Sequence, residues 1–245
     1  FLLGFVVMVI LIAAQSEPIT SRVIYAIDDG ALCGQTGLEA GDKVLAVNGR
    51  RCFVANDMLY ELMRTEDYSA HFTVLRGGEK VELPCVRFDT WQDDSGETHM
   101  SLGFTVYGIR KTPANVVKEA WNSVLYYGRI IFTSLMDLLR GRESINDLSG
   151  PVGIVTAIGQ AASYGWQDLL QLLVLITVNL GIFNLLPFPA LDGGKVVFLL
   201  IEGVTGHAVP EKIQSGLTLA AFALLFGLML FATYNDIVRL ITGAV

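Results

Sequence analysis

Histidine is scarce in this chain: His71, His99 and His207 are the only three in 245 residues. No two of them are spaced i, i+4, and no His-Glu-x-x-His occurs. The chain therefore carries no helix that presents two imidazoles to one zinc ion with a carboxylate base between them. Cysteine is as rare. Cys33, Cys52 and Cys85 lack the paired spacing of a metal site, and three cannot all pair with one another, so they are expected to be small buried hydrophobes. Basic residues are outnumbered, 17 Lys and Arg against 24 Asp and Glu, for a net charge of −7. No basic stripe is available to neutralise phosphates, which excludes nucleic acid as a partner. The first run opens on Phe1 with no initiator methionine and no basic segment, so it does not read as a signal peptide.

Apolar runs, by contrast, are abundant. The composition is 52% hydrophobic with a mean hydropathy of +0.51, too apolar for an ordinary soluble domain, yet one long middle portion is polar. That asymmetry predicts membrane spans around a soluble module. Phe1 to Ala14 has no polar side chain but is short for a span. Residues 1–15 are expected to be a transmembrane helix cut by the start of the fragment. Two further runs are charge-free, Leu169 to Leu191 and Ile213 to Asn235. They predict a transmembrane segment over 168–202, continuing as a short helix past Asp192, and a C-terminal span over 213–235.

Between the first run and the others the pattern alternates. Arg22–Ile27, Lys43–Val47, His71–Leu75 and Lys80–Leu83 read as short strands, and Asn56–Arg64 as a helix with Met58, Leu59, Leu62 and Met63 on one side. Asn48-Gly49 and Gly77-Gly78 mark tight turns. The stretch GLEAGDKVLAVNG resembles the core of PDZ domains found in bacterial proteases, over residues 21–88. The resemblance implies an extended peptide added to a sheet edge. A β-domain that only fills space or screens by size is the competing reading.

Residues 89–113 are expected to be a connector, its acidic part (DTWQDDSGET) a solvated loop and not a metal site, with Ser101–Tyr107 open to one more strand. Over 114–140, Val117, Trp121, Val124, Leu125, Ile131, Phe132, Leu135, Leu138 and Leu139 recur at helical spacing. Lys118, Glu119, Arg129 and Asp137 interrupt them. Charge in mid-run predicts an amphipathic interfacial helix, with Trp121, Tyr126 and Tyr127 suited to a membrane surface. Residues 148–167 are rich in Gly, Ser and Ala and are expected to be a membrane-edge loop with a short helix.

Chemistry concentrates at the end of the second run: Asn184-Leu-Leu-Pro187-Phe-Pro189-Ala-Leu191-Asp192-Gly193. Two prolines break a helix at membrane depth, where freed backbone groups need internal partners. An ionised Asp192 there costs about 3 kcal/mol or more unless a cation compensates it. On spacing alone, a helix cap at the membrane surface explains Asp192 as well as a metal does.

These residues resemble the Asn-x-x-Pro-x-Pro-x-Leu-Asp-Gly signature of site-2 proteases, intramembrane zinc metalloproteases that include RseP-like regulator-of-sigma-factor proteases, and every fixed position matches. Gly150-Pro151-Val152-Gly153 is similar to the segment that family carries before its aspartate-bearing helix. The resemblance implies zinc as cofactor, with Asp192 as the third ligand and two histidines of a His-Glu-x-x-His helix one span before Phe1 as the others. It also implies a catalytic and substrate-binding role for Asn184, with Pro187 and Pro189 holding the chain open to substrate. The expected fold class is a polytopic α-helical membrane protein with an inserted small β-rich PDZ domain (α+β). The expected activity is cleavage of transmembrane segments of membrane-bound regulators. The partners are then transmembrane substrates, the lipid bilayer and a peptide at the PDZ. The expected location is the bacterial cell membrane, multi-pass, with the PDZ on the extracytoplasmic side. The alternatives are a non-catalytic membrane-anchored PDZ adaptor or degenerate homologue, and, more remotely, a transporter segment with a midplane ion site.

Overall fold

A computed structural model describes residues 1–65, 67–93, 96–141 and 149–242. It divides into two units, one of Ile12–Tyr126 and one of Phe1–Leu11 with Tyr127–Val245.

The first unit is built on an antiparallel sheet. Its strands are β1 (Ile19–Ile27), β2 (Lys43–Val47), β3 (Arg50–Arg51), β4 (Ser69–Arg76), β5 (Glu79–Arg87) and β8 (Phe104–Ile109). The order is β5-β4-β2-β1-β8, with β3 paired to β2. Alternating residues of these strands meet in one core, where Ile24, Val44, Val47, Phe72, Val74 and Val86 have no exposed surface. That is the half-buried alternation a two-faced sheet requires. Leu62 from helix α3 (Ala55–Met63) and Leu38 close the core. The α3 N-terminus is tied by Asp57, whose carboxylate accepts the backbone N–H groups of Val54 (3.0 Å) and Phe53.

The Gly-Leu-Glu-Ala-Gly-Asp stretch is a turn locked by charge. Asp42 is fully buried and receives both Nε and Nη2 of Arg76 at 2.7 Å. Arg76 also donates to Glu39 Oε1 at 2.6 Å and to the Gly37 carbonyl at 2.7 Å. Asn48 and Gly49 both adopt positive φ, 49° and 76°, the tight turn expected of that pair.

The structure corrects the reading of the acidic part of residues 89–113 as a loop, and places a strand where Ser101–Tyr107 left one open. β6 (Asp89–Gln92) pairs antiparallel with β7 (Thr98–Ser101), and β8 adds to the free edge of β1, Ile19 opposite Ile109. The sheet therefore reaches past residue 88, because the last strand returns to the first. Helix α4 (Pro113–Leu139) buries Val116, Ala120 and Val124 and leaves Val117, Trp121, Leu125 and Phe132 exposed. Its outer face is an apolar stripe.

The second unit is helical. α1 (Leu2–Ala14) is followed, after α4, by α5 (Pro151–Tyr164), α6 (Trp166–Leu185), α7 (Asp192–Thr205) and α8 (Glu211–Thr242). Most of the stretch expected as loop and short helix over 148–167 is thus α5; Leu148 lies outside the described residues. α1 approaches α6 through glycine: a Cβ on Gly4 would sit 3.3 Å from Val178, and one on Gly181 would sit 2.9 Å from the Phe1 ring. Small residues permit such close approach. α6 and α8 are long and apolar enough to cross a membrane. They leave large side chains such as Leu180, Leu219, Phe222 and Phe226 more than half exposed.

Candidate functional site

The segment 168–202 is broken where its prolines stand. α6 ends at Leu185, the chain turns through 186–191, and α7 begins at Asp192. Pro187 and Pro189 have no N–H to give a helix ladder. The turn is held by its other amides: Leu186 N–H donates to Phe183 O (3.0 Å), and Leu191 N–H to Phe188 O (2.9 Å). Thr218 of α8 donates its hydroxyl to Pro189 O at 3.2 Å.

Two glycines let α7 start flush against this turn. A Cβ on Gly193 would lie 2.2 Å from Leu186 O, and one on Gly194 would lie 2.3 Å from Phe188 O. Both obstacles are backbone, and both glycines are buried. Here glycine serves close approach, not an unusual backbone angle.

The helix cap position is Leu191, in extended conformation, and Asp192 is the first helical residue. The simple capping explanation of Asp192 therefore does not hold: no side-chain cap bond exists at this end. The carboxylate stands 76% exposed, 3.5 Å from Lys195. It sits where the helix dipole favours negative charge. Asn184, in the last turn of α6, is half-buried, Pro187 is exposed and Pro189 half-buried. Among the described residues the Asn184 amide makes no hydrogen bond. The structure thus brings Asn184, Pro187, Pro189 and Asp192 onto one helix–turn–helix segment.

A catalytic zinc takes three protein ligands and a water, and this turn supplies one. Asp192 suits the role of a single oxygen donor, exposed and at a helix start. The histidines are engaged elsewhere: His71 with Glu82 (3.6 Å), His99 with Asp93 (2.9 Å), His207 with the Thr205 carbonyl (2.9 Å). Among the described residues, the one group of three ligand-type side chains close together is Asp93, Glu97 and His99, in the β6–β7 hairpin. A site at Asp192 needs its remaining ligands from beyond these residues. Of the cysteines, Cys33 and Cys52 are buried, as expected of small hydrophobes, and burial pushes the Cys33 thiol up. Cys85 corrects that expectation: it is exposed.

One residue that the sequence did not single out organises α5. Asp236 of α8 is 5% exposed and accepts the backbone N–H groups of Gly150 (3.2 Å) and Gly153 (2.7 Å). A Cβ on Gly150 would lie 2.8 Å from the Asp236 carboxylate, and one on Gly153 would lie 3.0 Å from it. This explains Gly-Pro-x-Gly: the glycines admit a carboxylate from another helix. A signal existed, since the α5 cap position is glycine and offers no side-chain acceptor, so the helix must borrow one.

A family model described as peptidase family M50 matches residues 1–228. The chain is 34% identical over 238 residues to the zinc metalloprotease RasP of Geobacillus kaustophilus, covering 97% of this chain and 56% of that protein. It is 30% identical over 240 residues to the regulator of sigma-W protease RasP of Bacillus subtilis, 98% of this chain and 56% of that protein. A zinc metalloprotease RasP of Shouchella clausii is 30% identical over 249 residues, with 98% and 57% covered. The chain spans little more than half the length of these relatives.

Proposed function

Because the chain belongs to peptidase family M50, we propose that it forms the body of a membrane-embedded zinc metalloendopeptidase of the site-2 type, with Asp192 as one of three zinc ligands. The observation that carries this reading is the turn itself: a helix broken by Pro187 and Pro189 and restarted at an exposed Asp192, over two glycines that admit no side chain. A capping residue alone would not need that backbone packing.

Bound zinc supplies a Lewis acid that polarises a scissile carbonyl and lowers the pKa of a coordinated water. The chain's own residues do the rest. Asn184 offers an amide to the substrate backbone or to the developing oxyanion. A helical substrate has its carbonyls already hydrogen-bonded, so an unwound stretch must be held open. Pro187 and Pro189 keep this turn from closing into helix beside the metal. The sheet unit, Ile12–Tyr126, is the PDZ of this reading: β8 is the last strand in its order, and a terminal strand offers an edge for an extended peptide. The substrates are transmembrane segments of membrane-bound regulators. The setting is a multi-pass protein of a bacterial cell membrane, with the PDZ outside the cytoplasm. Support for the membrane comes from α6 and α8 and from the apolar stripe of α4, which fits an interface.

The test is a full-length form reconstituted with a single-span membrane protein. Cleavage within the span, stopped by a zinc chelator and restored by zinc, is expected. Cleavage that persists at full rate after the metal is removed would overturn the proposal.

A further inference from the structure

The sheet unit contains a partly open cavity of about 400 Å³, within the range of ligand sites. It lies where the β1–β8 pairing slips, between Thr20 and Ile24. The slip leaves a gap that side chains do not fill. The first turns of α4 form the opposite wall, with Asn115, Lys118, Glu119 and Asn122 lining it. These four are spaced i, i+3, i+4, i+7, one face of a helix. A helix face turned toward its own domain is ordinarily apolar; this one is polar and faces a void.

The lining also carries Arg22 of β1 and Lys43 of β2. Arg22 is anchored on the carbonyls of Cys52 and Val44, so one cation is fixed in place. Lys43 and Lys118 are exposed at the cavity's rim. Three cations thus face one carboxylate, Glu119, which is half-buried and makes no hydrogen bond or ion pair among the described residues. Beside the charges stands an apolar wall that includes Val23, Phe53 and Ile109. A free phosphate would use the cations and leave that wall wet. A chain carrying carboxylates next to apolar side chains would use both.

We propose that this cavity binds an acidic peptide segment, with carboxylates against Arg22, Lys43 and Lys118 and an apolar side chain on the Phe53 wall, and that Glu119 gates it. The groups facing Glu119 set the gate. Burial pushes its carboxyl up to about 7, Asp57 of α3 pushes the same way, and Arg22 and Lys118 oppose. Below that value Glu119 is neutral and the cavity is cationic; above it a negative charge stands in the path of the ligand. An arriving carboxylate favours the protonated form, so binding takes up a proton and weakens as pH rises through 7. The site is separate from the Asp192 turn and is read without any cleavage, so it stands or falls apart from the protease reading.

The experiment is fluorescence anisotropy of a labelled hexapeptide containing three aspartates and one phenylalanine, with the full chain in nonionic detergent. The added charge on Glu119 is expected to weaken binding about tenfold between pH 6 and pH 8. Glu119→Gln should hold the tighter affinity at pH 8. Lys43→Glu and Lys118→Glu, at exposed positions, should each lose binding at both pH values. Equal binding of the peptide with its aspartates replaced by asparagine would overturn the proposal. So would competition by inorganic phosphate at the peptide's own concentration, which would show a simple anion site, or unchanged binding by Lys118→Glu.

Discussion

Placing a methyl group on Gly194 tests the packing of the motif turn. The new Cβ would lie 2.3 Å from Phe188 O and 2.6 Å from Pro189 Cα, where ordinary contact begins near 3.4 Å. Relief requires a shift of about 1 Å in a backbone that Pro189 stiffens and the Leu191-to-Phe188 hydrogen bond at 2.9 Å holds. Overpacking of this kind costs about 3 kcal/mol, which in a chain of this size lowers the unfolding midpoint by about 10 °C. Gly203, in the same helix α7, is the control, since a Cβ there meets nothing within 4 Å. Gly203→Ala should be neutral or stabilising by up to about 1 kcal/mol, because glycine is the poorer helix former. The assay is thermal unfolding of both variants in one detergent. Equal midpoints would refute the claim that α7 starts flush against the turn.

Three further outcomes follow from buried charge. Asp236→Asn replaces an anion that accepts two backbone N–H bonds and should destabilise the chain by about 2 kcal/mol in the same assay; an unchanged midpoint would remove Asp236 as the anchor of α5. Arg76→Ala strands the fully buried Asp42 and should cost about 3 kcal/mol or more, with Asp42→Asn in the same background recovering part of it. Glu119 has its folded-state carboxyl raised to about 7, chiefly by burial, so the native state holds a proton that the unfolded chain has already lost. Its contribution is fully present in the acid range below the ordinary carboxylate value, declines as pH rises, and is gone above 7. Unfolding followed against pH should show that decline in the parent chain and not in Glu119→Gln.

Much of the fold is legible because it is local. The strands over Lys43–Val47 and His71–Leu75 announce themselves by alternation, and Asn48-Gly49 by the angles only such residues adopt readily. Helix α4 is legible too, but not its buried side. The expected apolar positions include Val117, Trp121 and Leu125, which are exposed, while Val116 and Ala120 are buried. Two hydrophobic faces on one helix carry the same period, and period alone does not say which one packs. Pairing at long range was hidden. Nothing near Phe104–Ile109 shows that it returns to β1, nor near Asp236 that it reaches Gly150. In the site, the order Asn184, Pro187, Pro189, Asp192 names the turn, whereas the reason for Gly193 and Gly194 is seen only against the carbonyls they approach.

The central claim is that Asp192 binds zinc, and the most direct measurement is Asp192→Asn in a full-length form, read as zinc per protein by elemental analysis together with the unfolding midpoint. Asn keeps the shape and removes the charge. Because Asp192 is an exposed first-turn residue, losing its dipole interaction should change stability by no more than about 0.5 kcal/mol. The account predicts that bound zinc and cleavage of a membrane substrate are lost together while the midpoint holds. Full zinc occupancy with intact cleavage would contradict it and leave Asp192 as a surface charge on α7.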